Sequence, residues 1–116
     1  KLQSKRGVRE ISAEDFILKN YQTQIQKDEI LVSFYIPKPT KKYAFNYFKL
    51  GRRKAVNITR ISIGILISYD EKDRVEECKI VSGSLFSKPK RIPEIERIIS
   101  GKPLSEEIID SIEKPL

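Results

Sequence analysis

Residues 58 to 69 read "ITRISIGILISY", and this run constrains the fold more than any other part of the chain. Ile61, Ile63, Ile65, Ile67 and Tyr69 alternate with Ser62, Gly64, Leu66 and Ser68, a period of two that only an extended strand can use. The isoleucine row requires a buried partner, and the opposite row is small enough to let something approach closely, most simply a packed helix. "DEKDR" then supplies a polar turn over Asp70–Arg74 into "VEECKIVSGSL", which predicts a hairpin. An isolated two-stranded hairpin is only marginally stable, so further strands are required.

Two earlier segments offer them. "EILVSFYIP" is a β-rich run stopped by Pro37 and Pro39, and "FNYFKL" is a short strand ahead of Gly51. Upstream, "SAEDFILKN" carries a capping box, Ser12 followed by Asp15 three residues on, and predicts a short helix starting near Ser12. The last third reads as two helices. Pro93 suits a first helical turn, with Ile92, Ile95, Ile98 and Ile99 as an apolar stripe ending at Gly101. Ser105 serves as the next N-cap, with Glu106 and Glu107 against the dipole, Ile108, Ile109 and Ile112 inward, and Pro115 beyond. The expected fold class is α+β: an antiparallel sheet of three to four strands packed on one side by helices, with Ile61, Ile63, Ile65 and Ile67 buried against Ile95, Ile98, Ile108 and Ile112. At 116 residues, residues 1–116 are expected to form a single domain. The chain contains no methionine, which suggests an excised or processed piece.

Residue inventory narrows the chemistry. Histidine is absent, so histidine-based nucleophilic catalysis and histidine metal sites cannot be built from this chain. The single cysteine, Cys78, allows neither an internal disulfide nor a cysteine zinc or iron–sulfur site, fits a reducing cytoplasm, and sits in a predicted strand as a small buried hydrophobe. The carboxylates fall in helix first turns and the hairpin loop, where capping and solvation account for them. No run of about 18 apolar residues is available to span a bilayer. No residue qualifies as catalytic, and the chain reads as a binding or supporting domain.

The charge is concentrated. Between Ile30 and Tyr69 lie eight basic residues, Lys38, Lys41, Lys42, Lys49, Arg52, Arg53, Lys54 and Arg60, and no acid, so this third of the chain accounts for the net charge of +7. Such a field attracts an anion. A nucleic-acid surface would use Tyr43, Phe45, Tyr47 and Phe48 as stacking platforms, although Tyr43, Phe45 and Tyr47 also alternate as the core face of a strand does. A phosphate-bearing cofactor or an acidic protein surface would need only one well-placed lysine and the backbone near Gly51. A solvated basic edge that discourages aggregation fits equally. These readings remain open on residue chemistry alone.

Three ordered pieces, "DEILVSFYIP", "YFKLGRRKAVNITRISIGI" and "VSGSLFSKPKRIPEIERIISGKPLSEEIID", together with "RGVREISAEDF" at residues 6–16, resemble the C-terminal domain of the FAD-binding subunit of molybdenum hydroxylases, the xanthine dehydrogenase and carbon monoxide dehydrogenase family. The resemblance implies a truncated or excised C-terminal domain of a larger FAD-binding subunit, which covers the flavin and supports electron transfer between iron–sulfur clusters and FAD. It implies oxidoreductase activity for the subunit and none for this domain by itself. By the same resemblance Lys49 contacts the flavin side, Ile30 and Leu31 set apolar atoms against the ring, and Arg52 and Arg53 have a supporting or interface role. Partners would be the preceding FAD-binding domains and the iron–sulfur and molybdopterin subunits, with no membrane and no nucleic acid. The family's glycine-rich pyrophosphate loops are missing here, since Gly7, Gly51, Gly64, Gly83 and Gly101 are scattered, so the isolated chain is expected to bind FAD weakly or not at all. The alternative from another class is a small basic nucleic-acid-binding module.

Overall fold

The computed structural model describes residues 1–51 and 58–113. Arg52, Arg53 and Pro115, to which the sequence assigns roles, lie outside the described residues. The chain forms two compact units, Lys1–Lys38 and Pro39–Leu116.

In the first unit β1 (Leu2–Ser4) and β2 (Gly7–Arg9) form a hairpin, with Gly7 at φ 133°, a conformation that side chains oppose. The turn α1 (Ala13–Phe16) starts as the capping box requires, with Ser12 Oγ accepting from the Asp15 N–H at 3.0 Å. A small hairpin follows, β3 (Ile17–Lys19) and β4 (Gln22–Thr23). The run from Glu29 to Ile36 departs from expectation: only Ile30–Leu31 form a strand, β5, which pairs with β1 in the order β2-β1-β5 and takes no part in the larger sheet. The Val32 N–H still reaches the Lys1 carbonyl at 3.1 Å, but no described strand pairs with Phe34, Tyr35 and Ile36, which are exposed. Leu2, opposite Leu31, is fully buried. Arg9 anchors the segment before β5 with a two-pronged grip on Glu29, at 2.6 and 2.9 Å, and a bond to the Gln24 carbonyl at 2.7 Å.

The second unit holds the predicted α+β architecture. A four-stranded antiparallel sheet runs β6-β7-β8-β9, with β6 at Ala44–Gly51, β7 at Thr59–Tyr69, β8 at Val75–Gly83 and β9 at Lys90–Arg91. Helices α2 (Pro93–Ile99) and α3 (Glu106–Glu113) follow. Val75, Cys78, Ile80 and Ile99 form the buried core, and Ile63, Ile65, Ile67, Ile92, Ile95, Ile108 and Ile112 pack around it. The isoleucine row thus meets the helices as expected, although these strand residues are half-buried, Ile61 is not among those packed on the core, and on α2 Ile99 takes the buried place expected of Ile98. Tyr69 is exposed because a bulge between Ser68 and Tyr69 breaks the alternation. Ile109, expected to point inward, is also exposed, since Ile108 and Ile112 occupy the buried helical stripe. Asp70 closes the β7–β8 turn by accepting from the Lys72 and Arg74 N–H groups at 2.8 and 2.9 Å.

Candidate functional site

Directly paired residues of an antiparallel sheet share a face, so the register gives the composition of each side. On the helix side stand Phe48, Ile63 and Ser82, then Asn46, Ile65 and Ile80, then Ala44, Ile67 and Cys78. On the other side stand Lys49, Ser62 and Gly83, then Tyr47, Gly64 and Val81, then Phe45, Leu66 and Lys79. The small row expected to lie beneath a helix instead lies beneath aromatic side chains of the neighbouring strand. A Cβ on Gly64 would sit 3.9 Å from the Phe45 ring and 4.0 Å from the Tyr47 ring. Phe45 and Tyr47 are 68% and 55% exposed, so the aromatic alternation marks an outward face and not the core.

Charge divides this face. At one end the Tyr43 hydroxyl donates to the Glu77 carboxylate, Lys79 bridges Glu77 at 2.7 Å, and Lys41 bridges Glu76. Lys79 and then Tyr43 hold the Glu77 carboxyl below the ordinary carboxylate range, and Glu77 in turn raises the Tyr43 hydroxyl. The other end is cationic. Lys49 is exposed among Ser62 and Gly83, with no ion pair to any described carboxylate.

The first unit contributes a cavity of about 590 Å³. It is lined by Leu31 with Phe16, Ile17, Phe34 and the Lys1–Glu10 ion pair, whose Nζ···Oε1 distance is 2.9 Å. Leu31 therefore faces an apolar recess, while Ile30, its neighbour along β5, is well exposed. Of the residues that the family resemblance singled out, Ile30 and Leu31 belong to the first unit and Lys49 to the second. The scattered glycines supply no loop for a pyrophosphate.

Sequence reasoning missed Glu96. Its carboxylate accepts from the Ile80 N–H at 2.8 Å and clasps Arg91 through two bonds of 2.6 Å, tying α2 to β8 and β9. Arg91 holds the Glu96 carboxyl below the usual range, and burial pushes the Cys78 thiol up. The only signal in the sequence was the spacing of Arg91 and Glu96 across the Pro93 turn.

Comparison with known proteins places this architecture. The chain is 27% identical over 106 residues to the medium subunit of nicotine 6-hydroxylase from Paenarthrobacter nicotinovorans, covering 91% of this chain and 36% of the relative. It is 25% identical over 114 residues to the FAD-subunit of nicotinate dehydrogenase from Eubacterium barkeri, covering 95% and 38%. Among solved structures, quinoline 2-oxidoreductase from Pseudomonas putida 86 superposes with a TM-score of 0.84 at 24% identity, over 92% of this chain and 36% of that one. CO dehydrogenase from Oligotropha carboxidovorans superposes with a TM-score of 0.82 at 21% identity, over 94% and 37%. These superpositions establish the fold. The chain spans little more than a third of the length of these relatives. The model of the CO dehydrogenase flavoprotein C-terminal domain matches residues 46–115, from within β6 through α3, and by that match this chain belongs to the CO dehydrogenase flavoprotein C-terminal domain family.

Proposed function

We propose that the chain works as the flavin-covering domain of a molybdenum-hydroxylase FAD subunit and supports electron passage between iron–sulfur clusters and FAD. The observation that carries this reading is Lys49, which stands exposed, with no ion pair to a carboxylate among the described residues, on the outward face of β6, inside the segment that matches the family. FAD supplies the electron-accepting chemistry when bound. Lys49 would place a fixed positive charge where negative charge develops on reduction, and Ile30 and Leu31 would exclude water from the ring side. Preceding domains would bind most of the FAD, and separate iron–sulfur and molybdopterin components would complete an oxidoreductase. The single cysteine, unable to form an internal disulfide, accords with a cytoplasmic location.

Redox titration of the FAD-loaded full subunit tests the assignment. Lys49→Ala should lower the flavin midpoint potential and slow electron transfer while leaving folding intact, and Lys49→Arg should fall between it and wild type because the charge stays while its shape changes. Identical midpoints and rates in all three proteins would remove Lys49 from the flavin site. A nucleic-acid reading gains one observation, the outward placement of Phe45 and Tyr47 beside Lys49. Gel shifts with random single- and double-stranded DNA at low salt separate the two, because phosphate contacts give steeply salt-dependent retention.

A further inference from the structure

The two edges of the four-stranded sheet differ in their free backbone groups, which the flavin reading does not use, although Lys49 belongs to both readings. At one edge β9 is only two residues long, Lys90 and Arg91, and its end is held by the Arg91–Glu96 clasp and by the Ile92 N–H bonded to the Ile80 carbonyl at 3.0 Å. That edge is blunted by shortness and charge. At the other edge β6 runs for eight residues, and no described strand pairs with its outer side. In an antiparallel strand every second residue turns its N–H and C=O away from the paired neighbour, so about four residues of β6 present unpaired backbone groups to the outside. Side chains beside this edge are exposed on both faces: Phe45 and Tyr47 on one, Phe48 and Leu50 on the other.

We propose that the outer edge of β6 accepts an extended, acidic segment of a partner protein as a fifth strand. The free backbone row specifies a strand as the occupant, because only a strand satisfies those groups in series. The charge specifies its sign. Lys49 lies within β6 and Lys42 just before it, neither has an ion pair with a described carboxylate, and the sequence from Ile30 to Tyr69 holds no acid. Pairing of two copies of this edge would bring like charges together, whereas an acidic strand complements them. An occupant with alternating apolar and acidic residues would continue the Phe48 and Leu50 row on one face and set carboxylates beside Lys49 on the other.

The test is made on the 116-residue chain without flavin, so its outcome is independent of the redox experiment. The probe is a fluorescein-labelled octapeptide of alternating valine and glutamate, followed by anisotropy and by amide exchange. Saturable binding should weaken as salt rises, and amide exchange should slow within 44–51 and not within β9. Methylating alternate peptide nitrogens should weaken binding more than about tenfold, since two or more hydrogen bonds are lost while the protein is untouched. Lys49→Glu should weaken the acidic peptide about fivefold and favour its valine–lysine counterpart. Absence of saturation up to about 1 mM, equal binding of the methylated peptide, or equal binding of the lysine peptide would overturn the proposal. So would a concentration-dependent dimer with β6 protected in the absence of peptide, which would make a second copy the occupant.

Discussion

On the helix side of the four-stranded sheet, Ile63, Ile65 and Ile67 meet Cys78 and Ile80 together with Ile95 and Ile99 of α2 and Ile108 and Ile112 of α3. One residue along the same strands, Phe45, Tyr47 and Lys49 stand outward in register with Leu66, Gly64 and Ser62. Both faces carry enough apolar surface to be buried, yet only one is covered by the helices of its own unit. Two amphipathic helices with isoleucine stripes supply a single apolar layer, and that layer has been laid on the branched aliphatic face. The aromatic face is left with geometry suited to an interface: broad rings, a small floor and a cation at one end.

The largest expected effect separates the faces directly. Ile80 is 6% exposed at the centre of the core, so Ile80→Ala should cost about 2–5 kcal/mol, from lost transfer energy and the cavity left behind. Phe45→Ala removes a larger side chain from the outward face and should cost less than about 1 kcal/mol. Urea unfolding of both variants makes the comparison. A loss at Phe45 as large as that at Ile80 would mean that the aromatic face is covered core.

A middle-sized effect concerns what fastens the helix layer. Glu96 satisfies the Ile80 N–H and grips Arg91, so Glu96→Ala should cost about 2 kcal/mol, the scale of hydrogen bonds to a charged group with a buried partner left behind. Its folded-state pKa lies below the ordinary value of 4.5, chiefly through Arg91. The sign follows from linkage: the contribution is complete above 4.5 and is lost as pH falls from there through the lowered folded value. In the first unit Glu29, held by Arg9 and the Gln26 N–H, titrates at about 2, so its contribution fades between 4.5 and about 2. Thermal melts at descending pH should weaken below 4.5, and Glu96→Ala should lose its share of that slope. A variant with the wild-type acid dependence would leave Glu96 without a part in the fastening.

The difference between the faces was only partly legible in the sequence. Period-two alternation in Thr59–Tyr69 and the capping signals at Ser12 and Pro93 identified strands and helices, because each depends on local backbone chemistry. Which face the helices would choose was not local, since Phe45 and Tyr47 alternate as regularly as Ile63 and Ile65. β9 left no pattern because two residues cannot show a period, and it is fixed instead by Arg91 and Glu96. The shortness of β5 was hidden for a similar reason: Val32, Phe34 and Ile36 have strand character, while strand formation depends on a partner that the described structure extends only to Ile30 and Leu31. Lys49, Ile30 and Leu31 came from family resemblance. Periodicity identified only an exposed lysine near a strand end and two apolar residues opening a strand.

The smallest expected effect probes the floor of the outward face. A methyl group on Gly64 would make ordinary contacts, 3.9 Å to the Phe45 ring and 4.0 Å to the Tyr47 ring, and Gly64 is not among the residues with positive φ. Gly64→Ala should therefore be neutral or stabilise by up to about 1 kcal/mol, because alanine restricts the unfolded chain without straining the folded one. Gly83 differs on the same face, since its Cβ would fall 2.5 Å from Ser62 Oγ and force that hydroxyl to rotate. Gly83→Ala should cost about 1 kcal/mol in the same melts. If Gly64→Ala proved the more damaging, the aromatic rings would have to be packed down on the glycine more tightly than their exposure implies. Neutral stability combined with weakened assembly of the full subunit would instead identify Gly64 as the place where a partner, or the flavin side itself, needs close approach to the sheet.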